Sequence, residues 1–249
     1  MTKSKYKLNL ENSIYPPKPI KFSEDMEKDR KLIQYLIKER FDNSTLVEGR
    51  GEEINNEIIK KINKKTPIKL DKRNIYYSWN IEAQGATTRD KKGVWHPLTN
   101  FYVGNLQEPG TVLNEKGLEK RISPEENFKL IISHEYGHII FHEFLERDVG
   151  INMKKDFSYS NIFWMLPESV SNESNEAYAF WFGDFISGHK SPLDALSYSY
   201  QKDGTDFKKV IEQYKKLNEL VKIKGVSACF DSKELANILT KHVFSINYS

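Results

Sequence analysis

Cysteine is nearly absent from this chain, with Cys229 the only one among 249 residues. No intramolecular disulfide can form, and no cysteine cluster can hold a metal. A fold without disulfides suits a reducing compartment. Long apolar runs are missing as well. None approaches the roughly 20 residues needed to cross a bilayer. The stretch up to Phe22 is basic but has no uninterrupted apolar segment of the kind a signal peptide carries. The expectation is a soluble protein without membrane insertion, either cytoplasmic or exported by a signal-independent secretion system. Charge of one sign is the third absence. The 38 Lys and Arg against 35 Asp and Glu leave a formal +3, which argues against nucleic acid binding as the main task. Glycine and proline are modest, at 13 and 9, and exclude a collagenous or low-complexity chain.

Large apolar side chains are plentiful. With 14 Phe, 13 Tyr and 4 Trp, the chain can build a core and is not disordered. Its length suits one domain. Pro16, Pro17 and Pro19 make residues 1–22 an extended arm. Residues 23–70 read as helical. Ser23 caps a helix to about Phe41, and Ile54, Ile58, Ile59 and Ile62 mark a second helix after Gly49 and Gly51. The lysines of that second helix (Lys60, Lys61, Lys64, Lys65) read as a solvated face in preference to a phosphate patch.

Residues 71–123 read as a small sheet of three or four strands. The strand formers are Ile75 to Ile81, Val94-Trp95 and Phe101-Tyr102-Val103, with the polar segment Gln84 to Gly93 as a connection and Pro109-Gly110 as a turn. Helices follow at about 124–147, 172–187, 205–224 and 232–243. The fold expected is a single α+β domain, a small sheet on the N-terminal side packed on a mostly helical body.

Residues 134–138 read His134-Glu135-Tyr136-Gly137-His138, an HExxH. On a helix, residues four apart share a face, so both imidazoles can reach one ion. Glu135 is turned about 100° from His134, beside the ion, where it can hold a water. A zinc with three protein ligands and one open position lowers the pKa of its water to about 7, and a carboxylate base then takes the proton. By composition alone such a motif arises in about one chain in a hundred of this kind, so its surroundings decide its weight. Ser123-Pro124-Glu125-Glu126 is a capping box with proline at the first helical position. Phe128, Leu130, Ile131, Ile132, Ile139, Ile140 and Phe141 make the helix apolar nearly all round, hence buried. Buried histidines need partners, and Zn²⁺ is preferred over two hydrogen-bonded core histidines.

Phe141 and Phe144 stand where a metzincin has Gly and His, which excludes that class, and the remaining common solution takes a Glu from a later helix. Glu176 lies 38 residues after His138. Ala179 and Gly183 follow it at helical spacing and would let that helix approach the first closely. Glu173, one turn earlier, is the direct rival, and Glu168 is a more remote one. His142 extends the stripe of His134 and His138 but lies one turn too far for a tetrahedral site, so it reads as a supporting residue. His96, before Pro97, reads as a loop residue at the sheet edge. Cys229 reads as inert, and Trp164 and Trp181 as core.

The pattern HExGHxxxH (His134, Glu135, Gly137, His138, His142) followed by ExxAxxFG (Glu176, Ala179, Phe182, Gly183) resembles the gluzincin-type zinc metallopeptidases. It is most similar to the ImmA/IrrE family, and the second block is also similar to the corresponding helix of anthrax lethal factor-like toxin peptidases. The two blocks span residues 134–183. The resemblance implies a zincin-like fold, with zinc on His134, His138 and Glu176 and with Glu135 as the base. Two positions depart from it. Phe180 stands where the family usually has a polar residue supporting a ligand histidine, and Ser169 where the lethal factor-like group has tyrosine. Tyr178, His189, Tyr198 and Tyr200 are the candidates for the oxyanion donor.

The function expected is a zinc-dependent endopeptidase acting on a protein or peptide. It would serve as a bacterial effector or toxin, or as a regulatory protease that cleaves a repressor. The absence of a recognisable DNA-binding region leans toward the effector. A strand at Phe101–Val103 would pair with the extended substrate. The alternatives are a zinc hydrolase for a non-peptide substrate and a catalytically silent zinc-containing module that binds a partner protein. An intact Glu135 argues against the silent module.

Overall fold

The computed structural model describes residues 41–79, 81, 83–90, 92–148, 172–200 and 205–239. The N-terminal arm, nearly all of the first expected helix, and Trp164, Glu168 and Ser169 lie outside these. The architecture is mixed α/β, mainly helical with two small sheets. Helix α1 (Arg50–Lys65) buries Ile54, Ile58, Ile59 and Ile62, the face their spacing demands. Of the lysines on its other side, Lys61 and Lys65 are not free in solvent. Their Nζ atoms donate to the carbonyls of Ser187 and Phe185, each at 3.3 Å, where positive charge meets the negative end of a later helix.

The first sheet has four strands: β1 (Thr45–Leu46), β2 (Tyr76–Ser78), β3 (Gly85–Arg89) and β4 (Trp95–Asn100), in the spatial order β1-β2-β4-β3. β4 runs parallel to β2 and antiparallel to β3, and among the described residues β3 is an edge strand. Three sequence expectations change here. The segment Gln84–Gly93 is not a mere connection, because it holds strand β3, in which Thr87, Thr88 and Arg89 are buried. Threonine is β-branched and fits a pleated surface, but a polar inward face hides the strand from a hydrophobicity pattern.

His96 and Pro97 are not in a loop. They sit inside β4, which tolerates the proline because β2 pairs only with Leu98 onward. Phe101-Tyr102-Val103 is not a strand but belongs to the single helical turn α2 (Phe101–Gly104). It is started by Asn100, whose Oδ1 accepts from Val103 N at 2.8 Å.

Pro109-Gly110 leads into a second sheet, the hairpin of β5 (Gly110–Leu113) and β6 (Glu119–Ile122). Its turn is held by Asn114 Oδ1, which accepts from Lys116 N and Leu118 N. Val112 and Ile122 pack on Leu130, so the hairpin lies against the long helix that follows.

That helix is α3 (Pro124–Asp148). The capping box forms: Ser123 N donates to Glu126 Oε2 at 2.9 Å, and Glu126 N donates to Ser123 Oγ at 3.3 Å. α3 packs along α4 (Asn172–Ser187), and Phe128, Ile132, Ile139, Phe141, Tyr178 and Phe182 join one core. α5 (Leu193–Tyr200), α6 (Phe207–Lys224), a 3₁₀ turn (Val226–Phe230) and α7 (Ser232–Leu239) complete the body. α5 and the 3₁₀ turn have no counterpart in the sequence reading. Asp184 on α4 ties it to α6 and to the loop between them, accepting from Tyr214 Oη at 2.6 Å and Ser191 Oγ at 2.6 Å. No helix of the described residues is long and apolar enough to cross a membrane.

Tyr136, within the HExxH, is fully buried and joins α3 to α1. Its hydroxyl donates to Asn55 Oδ1 at 2.7 Å, and Asn55 Nδ2 donates to the Arg73 carbonyl at 2.7 Å. Tyr136→Phe strands the Asn55 oxygen in the core. The expected loss is about 1–2 kcal/mol, read as a lower urea midpoint with an unchanged slope.

Candidate metal centre

Two helices build this site, and glycines let them meet. A Cβ on Gly137 would lie 2.6 Å from Ala179 Cα, and one on Gly183 would lie 3.1 Å from His134 Cα and N. A side chain at Gly137 is incompatible with this approach of α3 and α4, and one at Gly183 would strain it. The contact sets the register that puts Glu176 of α4 opposite the histidines of α3.

His134 Nε2 and His138 Nε2 are 3.0 Å apart. Glu176 approaches both, with Oε2 3.7 Å from His134 Nε2 and Oε1 3.6 Å from His138 Nε2. All three side chains are buried. Two nitrogen ligands of a tetrahedral zinc at its usual bond length stand about 3.3 Å apart, so these separations fit one ion held between the rings and the carboxylate. Buried His134, Glu135 and His138 form a group that could hold a metal ion, their ligand atoms all within 4.8 Å of one another.

Asn175, the residue before Glu176, accepts from His138 Nδ1 at 2.9 Å. That bond puts the proton on Nδ1 and leaves the Nε2 lone pair aimed at the site. It also supplies the polar support that Phe180 cannot give. Phe180 instead sets its ring against His134, centroids 4.4 Å apart. The signal was an asparagine beside a candidate ligand, and its direction is known only once the two helices are docked.

Burial is the largest influence on the protonation of His134, Glu135 and His138. It pushes the His138 imidazole down to about 4, against the Asn175 hydrogen bond, which favours the charged form. It holds His134 well below its ordinary value too, with His138 adding to the effect. Glu135 moves the other way. Burial first, and then the Glu176 carboxylate, raise its pKa well above the ordinary carboxylate range. Its Oε2 is buried with no hydrogen-bond partner among the described residues. Strand β3 meets the same carboxylate, since a Cβ on Gly85 would collide with Glu135 Oε1 and lie 2.8 Å from Ile131 Cγ2.

The other candidates separate from the centre. Glu173 faces the start of α6, its Oε1 accepting from Asp206 N at 3.2 Å. Tyr178 is buried in the core and gives its hydroxyl to the Cys229 carbonyl at 3.2 Å. His189 stands in the loop after α4, where its charge is felt by Glu126 at the start of α3, two helical turns before the HExxH. The side chains of Tyr198 and Tyr200, like Glu168, are outside the described residues. His96 lies between the Asn74 carbonyl and Asp90 Oδ2, each at 3.3 Å. His142 is fully buried, its ring stacked 6.3 Å from His138 and 5.3 Å from Trp95. Neither of its ring nitrogens has a hydrogen-bond partner among the described residues. Cys229 is buried and its thiol is pushed up to about 12, the protonated, unreactive state.

Gly137→Ala tests the helix contact. Alanine is the better helix former by about 1 kcal/mol, yet its methyl meets backbone across the interface. The expected result is net destabilisation of about 1–3 kcal/mol, seen as a lower midpoint of thermal unfolding. A gain in stability would mean that the helices are not in this contact. No protein-family model matches the chain, and no curated protein or solved structure matches it either.

Proposed function

We propose that this protein is a zinc-dependent endopeptidase with a zincin-like fold, in which His134, His138 and Glu176 hold the metal and Glu135 is the general base. One observation carries the reading. Two buried imidazole nitrogens 3.0 Å apart face a buried carboxylate at 3.6–3.7 Å, and the neighbouring Glu135 has a buried oxygen with no partner among the described residues. Buried polar atoms are costly unless something satisfies them, and a divalent cation with its water would do so here. The imidazoles are already neutral, as metal binding requires.

Bound zinc would polarise a carbonyl and bring the pKa of a water to about 7. Glu135 would hold the attacking water, accept its proton on the carboxylate and return that proton to the leaving amine. Asn175 keeps His138 in the tautomer that presents Nε2. The substrate would lie along β3 in place of the expected strand at Phe101–Val103. β3 has an unpaired edge among the described residues, and its first residue, Gly85, abuts Glu135. Delivery into another cell and cleavage of a regulatory protein are both settings for this chemistry.

Protein purified without chelator should carry one zinc per chain. Glu176→Ala should lose it and Glu173→Ala should keep it; the reverse would move the third ligand one turn. Glu135→Gln should retain zinc while peptide turnover falls by about 10²-fold or more. Turnover that survives this change would rule out the general-base role. Zinc without cleavage of any peptide by wild type would leave a zinc-containing binding module. Gly85→Ala should also keep zinc but lower kcat by about tenfold, because its methyl displaces the Glu135 carboxylate.

A further inference from the structure

Trp79 and Tyr102 are 65% and 56% exposed. Two large aromatics left in solvent on one cavity point to recognition more than to packing. Both line a cavity of about 380 Å³, together with Asn100, Phe101 and Glu108. One face of Trp79 stacks on Phe101, with centroids 3.4 Å apart at 17°, which leaves its other face to solvent.

Glu108 brings a charge to this cavity. Its Oε1 accepts from Gln84 Nε2 at 2.7 Å and its Oε2 from Asn100 Nδ2 at 3.3 Å. Both donors are neutral amides. They orient the carboxylate without neutralising it, and each oxygen keeps a further lone pair. Among the described residues no cation pairs with Glu108. An oriented negative charge beside exposed aromatic rings complements a long cationic side chain, whose charged end meets the carboxylate while its stem lies on the indole.

The cavity adjoins the proposed metal centre. Gln84, which holds Glu108, directly precedes Gly85, the residue against Glu135. Side chains on one face of an extended chain recur about every 6.6 Å. A peptide laid along β3 with a carbonyl beside Glu135 would pass the start of the strand, next to Gln84, whose amide holds Glu108. We infer that this cavity is a specificity subsite that takes a lysine or arginine side chain of the peptide substrate. The inference rests on the endopeptidase reading of the metal centre.

Two measurements separate the subsite from that reading. The first is fluorescence anisotropy with zinc-loaded Glu135→Gln protein and two labelled alanine-rich peptides, one with a single arginine and one with citrulline in its place. Citrulline keeps the shape and removes the charge. The arginine peptide should bind about fivefold or more tightly. Adding Glu108→Gln should abolish the preference, and adding Trp79→Leu should weaken both peptides. Equal binding of the two peptides overturns the inference, whether or not the protein cleaves anything.

The second measurement is digestion of a proteome-derived peptide mixture by wild type. Lysine and arginine enriched at one fixed distance from the cut, and lost in Glu108→Gln, support the subsite. Cleavage without that enrichment overturns the subsite and leaves the endopeptidase. No cleavage, with the arginine preference intact, overturns the endopeptidase and leaves the cavity with its ligand class.

Discussion

The contact between Gly137 and Ala179 is the constraint on which the rest of the site depends. Glu176 is on a different helix from the histidines, and its carboxylate reaches their Nε2 atoms only because α3 and α4 touch backbone to backbone. A methyl or larger group at Gly137 or Gly183 would push the helices apart by a fraction of an ångström to an ångström, and ligand geometry tolerates little more than that. The aromatic residues around this seam (Phe141, Tyr178, Phe182) pack on either side of it. Their burial contributes to the free energy that holds the two helices together.

The same burial creates an electrostatic problem that the described residues meet only in part. Histidines 134, 138 and 142 are all driven to the neutral state, and Glu135 is driven toward protonation. Groups so placed are expensive unless paired or hydrogen-bonded. Some of the cost is met inside the protein, as Asn175 shows for His138. His142 is a different case. Both its nitrogens are without a hydrogen-bond partner among the described residues, and the ring is wedged between His138 and Trp95.

The small sheet shares in the core through Trp95 and also positions the site. Its edge strand β3 carries polar, inward-facing threonines and begins at a glycine that leaves room for the Glu135 carboxylate. Next to it, Asn100 does two jobs at once, starting the turn of α2 through Oδ1 and holding Glu108 through Nδ2. The strand end, the helical turn and the acidic side chain thus form one connected piece that faces solvent beside the proposed reaction centre.

Local patterns by themselves determined the long helices. The capping box at Ser123, the isoleucine spacing of α1 and the apolar run around His134 are set by contacts three and four residues apart, so they can be read along the chain. The HExxH pair is local in the same way, because i and i+4 share a face whatever surrounds them. Strand β3 escaped that reading because its buried side chains are threonine and arginine. The turn at Phe101 escaped it because one asparagine cap outweighs three strand-forming residues.

What only the tertiary structure decided is the pairing of distant residues. Glu176 and Glu173 have the same local chemistry and lie one turn apart. The docking of α4 turns one toward the histidines and the other toward the start of α6. Asn175 gained its role, and Gly85 its place against Glu135, in the same way. Such choices depend on how helices and strands pack across the core, and sequence spacing carries no information about a neighbour that arrives from 40 or 50 residues away.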